Sequence, residues 1–405
     1  VSTIAPLKYL AESISVGIVI TPAVWYVNEG GIPALRGVNI RPGRIVKDGL
    51  VQISHDGHAA NKKSRLRAGD LVVVRTGQAG AAAVVPVELD GSNCIDLIII
   101  RPGCKLVPRY LEYVLNSGYS RRRISEQSVG SIQSHFNVGA MRDMPIPVPA
   151  LEEQLRIVKF LDSECSRLTD SAQALRRQIE LLESREDSVL HELTSVNSAP
   201  AARIKHVVSR LTSGPRGWGE LVGDSGVPFI RIANIPRRGI ALSLEDLAYV
   251  DPPAGSERER TRTQVGDVLV SITADIGSVG VIDAHTVDGN VSQHICLLRA
   301  RESICHPRWL AYAIKAPAAN RALRMSSYGG AKVGLGLAEV AETSISLPNL
   351  STQAHHIKLI DEALSWNEAL RGQLTKKLAL ISEWKQALVD AAVTGQIDVA
   401  TARGA

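Results

Sequence analysis

Apolar residues between 151 and 196 recur on two seams. Leu161, Leu168, Leu175, Leu182 and Val189 fall seven apart, and Val158, Cys165, Ala172, Ile179 and Leu193 keep the same period three positions earlier. This is the a/d pattern of a helix that packs along its length against another. No Gly or Pro interrupts the stretch, so it predicts one helix of roughly 65 Å. Glu186 is the one polar residue on the seam. A single heptad helix cannot bury its own stripe, and a second copy lies 199 residues later. Ile357, Ile360, Leu364, Leu374, Leu378, Ile381, Leu388 and Ala392 repeat the pattern, with Asn367, Arg371 and Lys385 as polar breaks and Gly372 inside. Polar seam residues lower stability and can fix register and partner.

The segments before the helices repeat as well. Leu7-Lys8 corresponds to Ile204-Lys205, and Ile32 to Ile40 to Val227 to Ile235, each a strand ending in a turn-prone Asn. Gly69-Asp70-Leu71-Val72-Val73 matches Gly266-Asp267-Val268-Leu269-Val270, a Gly-Asp turn launching a short strand, followed by Gly80 and Gly280. Asn93 and Asn290 open another strand pair, 95–100 and 295–298. Pro108-Arg109-Tyr110-Leu111 and Pro307-Arg308-Trp309-Leu310 begin short helices with Pro in the first turn. Gly-containing loops, 130–135 and 329–334, lead into extended segments and then the long helices. The stretch 14–27 reads as strand.

The expected fold class is α+β: two similar mixed α/β domains at 1–150 and 198–348, long helices at 151–197 and 349–398, and a tail at 399–405. Antiparallel helices would relate the two copies by a pseudo-two-fold axis with a globule at each end. Parallel helices would place both globules at one end, and the length of the second globule permits either.

With 45% apolar and 21% charged residues over 405 positions, the composition is globular, with chain enough for more than one core. The net charge of +5 is unevenly placed. Residues 1–150 carry 17 basic against 11 acidic side chains and 197–348 carry 17 against 14, whereas 151–196 carry 6 against 10, so the globules are the parts suited to a polyanion. Five cysteines without a CxxC pair indicate neither a disulfide framework nor a zinc cluster, and a reducing, cytoplasmic setting is expected. No run of 18 apolar residues marks a membrane span. The chain begins at Val1 rather than Met, so a residue or a short piece is expected to precede it.

Two stretches carry a resemblance. Pro147-Val148-Pro149-Ala150-Leu151-Glu152-Glu153-Gln154-Leu155-Arg156-Ile157-Val158 with Phe160-Leu161-Asp162, and Ala391-Ala392-Val393-Thr394-Gly395-Gln396-Ile397-Asp398, are similar to signatures of the specificity subunit of Type I restriction-modification enzymes. The second copy departs from the pattern, with Ser351-Thr352-Gln353 in place of Glu152-Glu153-Gln154. The resemblance implies two target recognition domains, each reading one part of a bipartite double-stranded DNA sequence, held apart by an antiparallel coiled coil. It also implies two modification subunits that bind S-adenosylmethionine and methylate adenine, joined by restriction subunits that use ATP and Mg. No cofactor or metal is then expected on this chain.

The residues themselves point away from catalysis. A GxxxxGK[ST] phosphate loop is absent. Asp251-Pro252-Pro253-Ala254 lacks the aromatic residue that would stack a flipped base. Glu383-Trp384-Lys385 lies on the heptad helix, where residues two apart face different sides. Gly334-Leu335-Gly336 has no preceding strand, and the adjacent His355 and His356 cannot share a helix face for a metal. A fused methyltransferase-specificity chain finds no room, because the two repeats use up the length. A coiled-coil scaffold without nucleic acid is the remaining alternative.

Phosphate contacts need Lys or Arg, and base readout needs polar side chains at groove depth. In the first globule the DNA-binding candidates are Arg36, Arg41, Arg44, Lys62, Lys63, Arg65, Arg121, Arg122 and Arg123, with Ser131, Gln133, Ser134 and His135 on the Gly loop. In the second they are Arg216, Arg231, Arg237, Arg238, Arg321, Arg324, Tyr328 and Lys332.

Overall fold

The computed structural model describes residues 3–128, 136–196, 198–326, 334–399 and 401. Two compact units divide the chain, Val1–Leu175 with Lys376–Ala405, and Arg176–Thr375. Each therefore takes one globule, the start of the helix that follows it, and the end of the other helix.

In the first unit a four-stranded sheet runs in the order Ala11–Val16, Leu97–Pro102, Leu71–Val74, Ala82–Val84, all antiparallel. Leu71 to Val74 is buried at every position, because both faces of the sheet are covered. Leu71, Val73, Ile98 and Ile100 face the core shared with the short helix Pro108–Asn116 and the long helices. Val72, Val74, Leu97 and Ile99 alternate onto a second core. A second sheet follows the order Asn93–Cys94, Ile32–Leu35, Val51–Ile53, Tyr26–Val27.

The second unit repeats both sheets. Val208–Ser213, Ile295–Ala300, Val268–Ser271 and Val279–Val281 form the first. The second, Asn290–Val291, Val227–Ile230, Ala248–Val250, Val222–Gly223, has the same order as its counterpart. The Gly-Asp turns do more than launch strands. Gly69 and Gly266 sit at φ +87° and +90°, and the buried Asp70 and Asp267 receive bidentate hydrogen bonds from Arg101 (2.9 and 2.8 Å) and Arg299 (2.7 and 2.7 Å) on the neighbouring strand.

Two sequence expectations need correction. The glycine equivalent to Gly80 is Gly277 rather than Gly280: both have positive φ, and their N–H groups donate to Val74 and Ser271, which close the paired strands. Gly280 lies within Val279–Val281. The stretch 14–27 is not one strand either. It breaks at Gly17, where a Cβ would collide with the Cys94 carbonyl oxygen, turns through Thr21 at φ +40°, and forms the 3-10 turn Pro22–Trp25 before joining the other sheet.

The long helices span Leu151–Thr194 and Leu350–Val393. Leu161, Leu168, Leu182, Ile357, Ile360 and Leu374 are buried; Val158, Leu175, Ile179, Val189, Leu364, Leu378, Ile381 and Leu388 are half-buried. Within each unit the two helical segments run antiparallel. In the first, Lys385 donates to the Thr169 hydroxyl (3.0 Å), and Val389, Ala392 and Val393 share a core with Ile157 and Leu161. In the second, Arg185 donates to Asn367 (2.8 Å) and His356 meets the Leu193 carbonyl (2.6 Å).

Candidate nucleic-acid interface

The same three contacts recur in each unit, two joining the globule to its long helix and one holding the strand that leads into it. Gln154, fully buried, donates to the carbonyls of Lys105 and Pro149 (both 2.9 Å) and accepts from the Val107 N–H (2.8 Å). Gln353 does the same with Ile304, Pro348 and His306. Two turns further on, Asp162 receives Arg109 (2.8 Å) and the Tyr113 hydroxyl (2.6 Å), while Asp361 receives Arg308 (2.5 Å) and the Tyr312 hydroxyl. Tyr110 and Trp309 then donate to the carbonyls of Pro147 and Ser346, both at 3.0 Å. One difference is electrostatic. Glu112 lies beneath Arg109, and burial holds its carboxyl above the usual range despite Arg109 and the Val84 N–H, whereas the second unit has Ala311 at that position.

Several of the basic candidates serve the fold. Arg36 and Arg231 occupy equivalent positions: their N–H groups donate to Asn39 and Asn234, and their guanidinium groups to the carbonyls of Gly49 (3.2 Å) and Asp246 (2.9 Å). Arg65 holds the His58 carbonyl, Arg41 the carbonyls of Val38 and Ile40, and Arg123 lies over the Tyr119 ring. Arg238 pairs with Glu183, Arg237 with Asp275 (3.2 Å), and Arg324 donates to Asn320. Arg44, Lys62, Lys63, Arg121, Arg122, Arg216 and Arg321 are exposed, with no ion pair or side-chain hydrogen bond among the described residues. Ser131, Gln133, Ser134, His135, Tyr328 and Lys332 lie outside the described residues.

These residues fall in different places. Lys62 and Lys63 line a cleft of about 510 Å³ with Val19, Ile20 and Asn61. Arg231 borders one of about 680 Å³ with Phe229, Asp246, Gln293 and His294. Arg121 faces a third, near Arg109, Asp162, Lys385 and Gln386. Val19, Ile20, Gln293 and His294 escape a search for basic residues; their signal is position, on the connections that leave or enter the central sheet. Of the motifs that imitate catalysis, Lys385 is engaged by Thr169, and the His355 and His356 rings stand 5.7 Å apart with His356 turned to Leu193. Among the described residues no group of three His, Cys, Asp or Glu is placed to hold a metal ion, and no helix is long and apolar enough to cross a membrane.

The family model described as Type I restriction modification DNA specificity domain matches residues 27–181 and 256–379. The Type I restriction enzyme EcoBI specificity subunit of Escherichia coli is 20% identical over 292 residues, 65% of this chain and 60% of that protein. The chain thus spans less than two thirds of that relative. A chain from a structure of the type I R-M system, solved to explain complex assembly and conformational transition, superposes with a TM-score of 0.79 at 19% identity, covering 98% of both chains. The HsdS subunit from Thermoanaerobacter tengcongensis gives 0.56 at 19% identity, over 98% and 97%. At these identities the structural likenesses establish the fold.

Proposed function

Because the chain belongs to the family of Type I restriction modification DNA specificity domains, we propose that it is the sequence-specificity subunit of a Type I restriction-modification complex. Each globule reads one half of a bipartite, asymmetric target in duplex DNA. The long helices set the gap between the halves and dock two modification subunits. Those subunits carry S-adenosylmethionine and methylate adenine; restriction subunits, with ATP and Mg, join the same complex. This chain contributes recognition and no chemistry of its own.

The observation that carries this reading is the repeated tether. Gln154, Asp162 and Tyr110 in one unit and Gln353, Asp361 and Trp309 in the other build the same joint, while the outward loops differ. A constant frame with divergent surfaces is what two unlike half-sites require.

The test is to purify the complex with its modification subunits, map methyladenine in a random-sequence library, and titrate binding against salt. A two-part target and a log affinity that falls linearly with log salt are expected. Equal binding to target and random duplexes at every salt concentration would sink the proposal.

A further inference from the structure

The central sheets of the two units release the chain at the same place. Gly17 and Gly214 are pressed against the short strand of the neighbouring sheet, where a Cβ would collide with the carbonyl oxygens of Cys94 and Val291. One residue on, past the buried Ile18 and Pro215, the chain turns outward. In the first unit the outward residues are Val19 and Ile20, 50% and 82% exposed. Thr21 behind them is held at φ +40°, a conformation that disfavours a β-branched residue and persists only where the surroundings impose it. Lys62 and Lys63 line the same cleft, both exposed and without an acidic partner among the described residues.

In the second unit the equivalent loop presents Arg216, exposed, between the buried Pro215 and Gly217 at φ +82°. Pro215 and Gly217 border the cleft that also takes in Ser292, Gln293 and His294. The Ser292 hydroxyl there is buried and without a hydrogen-bond partner among the described residues.

Resting on the proposed function, we infer that this loop reads bases in both units and that the two copies read different ones. In the first, Ile20 meets the C5 methyl of a thymine in the major groove while Lys62 and Lys63 hold neighbouring phosphates. An exposed branched apolar side chain flanked by uncompensated cations matches a methyl group beside a line of phosphates. In the second, Arg216 donates to O6 and N7 of a guanine, the pairing its planar fork fits.

The experiment uses the full complex with its modification subunits and maps methyladenine for the wild type, Ile20→Ser, Ile20→Val, Arg216→Ala and the double variant Lys62→Ala, Lys63→Ala. Ile20→Ser is expected to lose preference for one T·A pair in one half-site, and Ile20→Val to keep it. Arg216→Ala is expected to lose one G·C preference in the other half-site, by roughly 5- to 150-fold. The lysine variant is expected to bind all sequences more weakly, with a salt slope smaller by about two. All four positions are on the surface, so melting temperatures should match the wild type. Where methylation falls below detection, competition with duplexes bearing single base changes reads the same preference. Unchanged targets for both Ile20→Ser and Arg216→Ala overturn the inference, as does an Ile20→Ser variant that fails only to assemble with the modification subunits, the mark of a protein-docking surface. A wild-type complex with no bipartite target would instead defeat the proposed function itself.

Discussion

Gln154 shows how one side chain can join two elements. Its amide satisfies three backbone groups, one N–H and two carbonyls, where the loop before Pro108 meets the long helix. Removing it leaves part-buried backbone groups without this partner, at a cost of up to about 1–3 kcal/mol per group. Gln154→Ala and Gln353→Ala are each expected to destabilise the protein by about 2–3 kcal/mol, measured by urea unfolding; a change within error would show that water replaces the amide without cost. The sequence marks this residue only partly. The second copy departs from the first at Ser351 and Thr352, yet Ser351 is exposed and the shared Gln353 is fully buried, so the departure lies where the joint makes no demand. Glu112 supports a prediction about pH. Its folded carboxyl titrates above the unfolded one, so the folded state holds the proton more tightly, and stability is lost as pH rises through that window. Glu112→Gln keeps an acceptor for the Val84 N–H. It is expected to melt above the wild type at pH 7, the difference closing below about pH 4, as calorimetry across pH would show.

At the scale of elements, the heptads located the helices because a stripe of that length has no other way to be buried. Depth within the stripe was less legible. Ile157 and Leu190 are more deeply buried than their neighbours Val158 and Val189, as expected when a 3.6-residue turn drifts against a seven-residue repeat. The polar breaks acquired partners that spacing does not disclose. Lys385 reaches Thr169, and at the corresponding place in the other unit Glu186 accepts from the Gly239 N–H at 3.3 Å. Gly372 has no such role. It is exposed within the helix, and a Cβ there meets nothing. Gly372→Ala is expected to raise stability by about 1 kcal/mol, with methylation unchanged; a loss of stability would reveal a need for glycine at that turn.

At the scale of the molecule, the proposed function makes helix length a measure of the gap between half-sites. Deleting one heptad from both helices shortens each by roughly 10 Å, or about three base pairs. Methyladenine mapping of the complex is expected to return a target with a correspondingly shorter gap, and an unchanged gap would exclude the helices as spacers. What the sequence determined by itself was what repeats locally: two copies, several matching strands and short helices in each, and long helices in need of partners, because periodicity is written along the chain. Only the tertiary structure decided the direction in which the helical segments pair, and which arginines face solvent. Arg36 and Arg44 look alike in sequence, but one is spent on the Gly49 carbonyl and the other is free of such contacts among the described residues. The reason is physical: a charge is engaged or available according to neighbours brought from elsewhere in the chain, and no pattern of spacing carries that information.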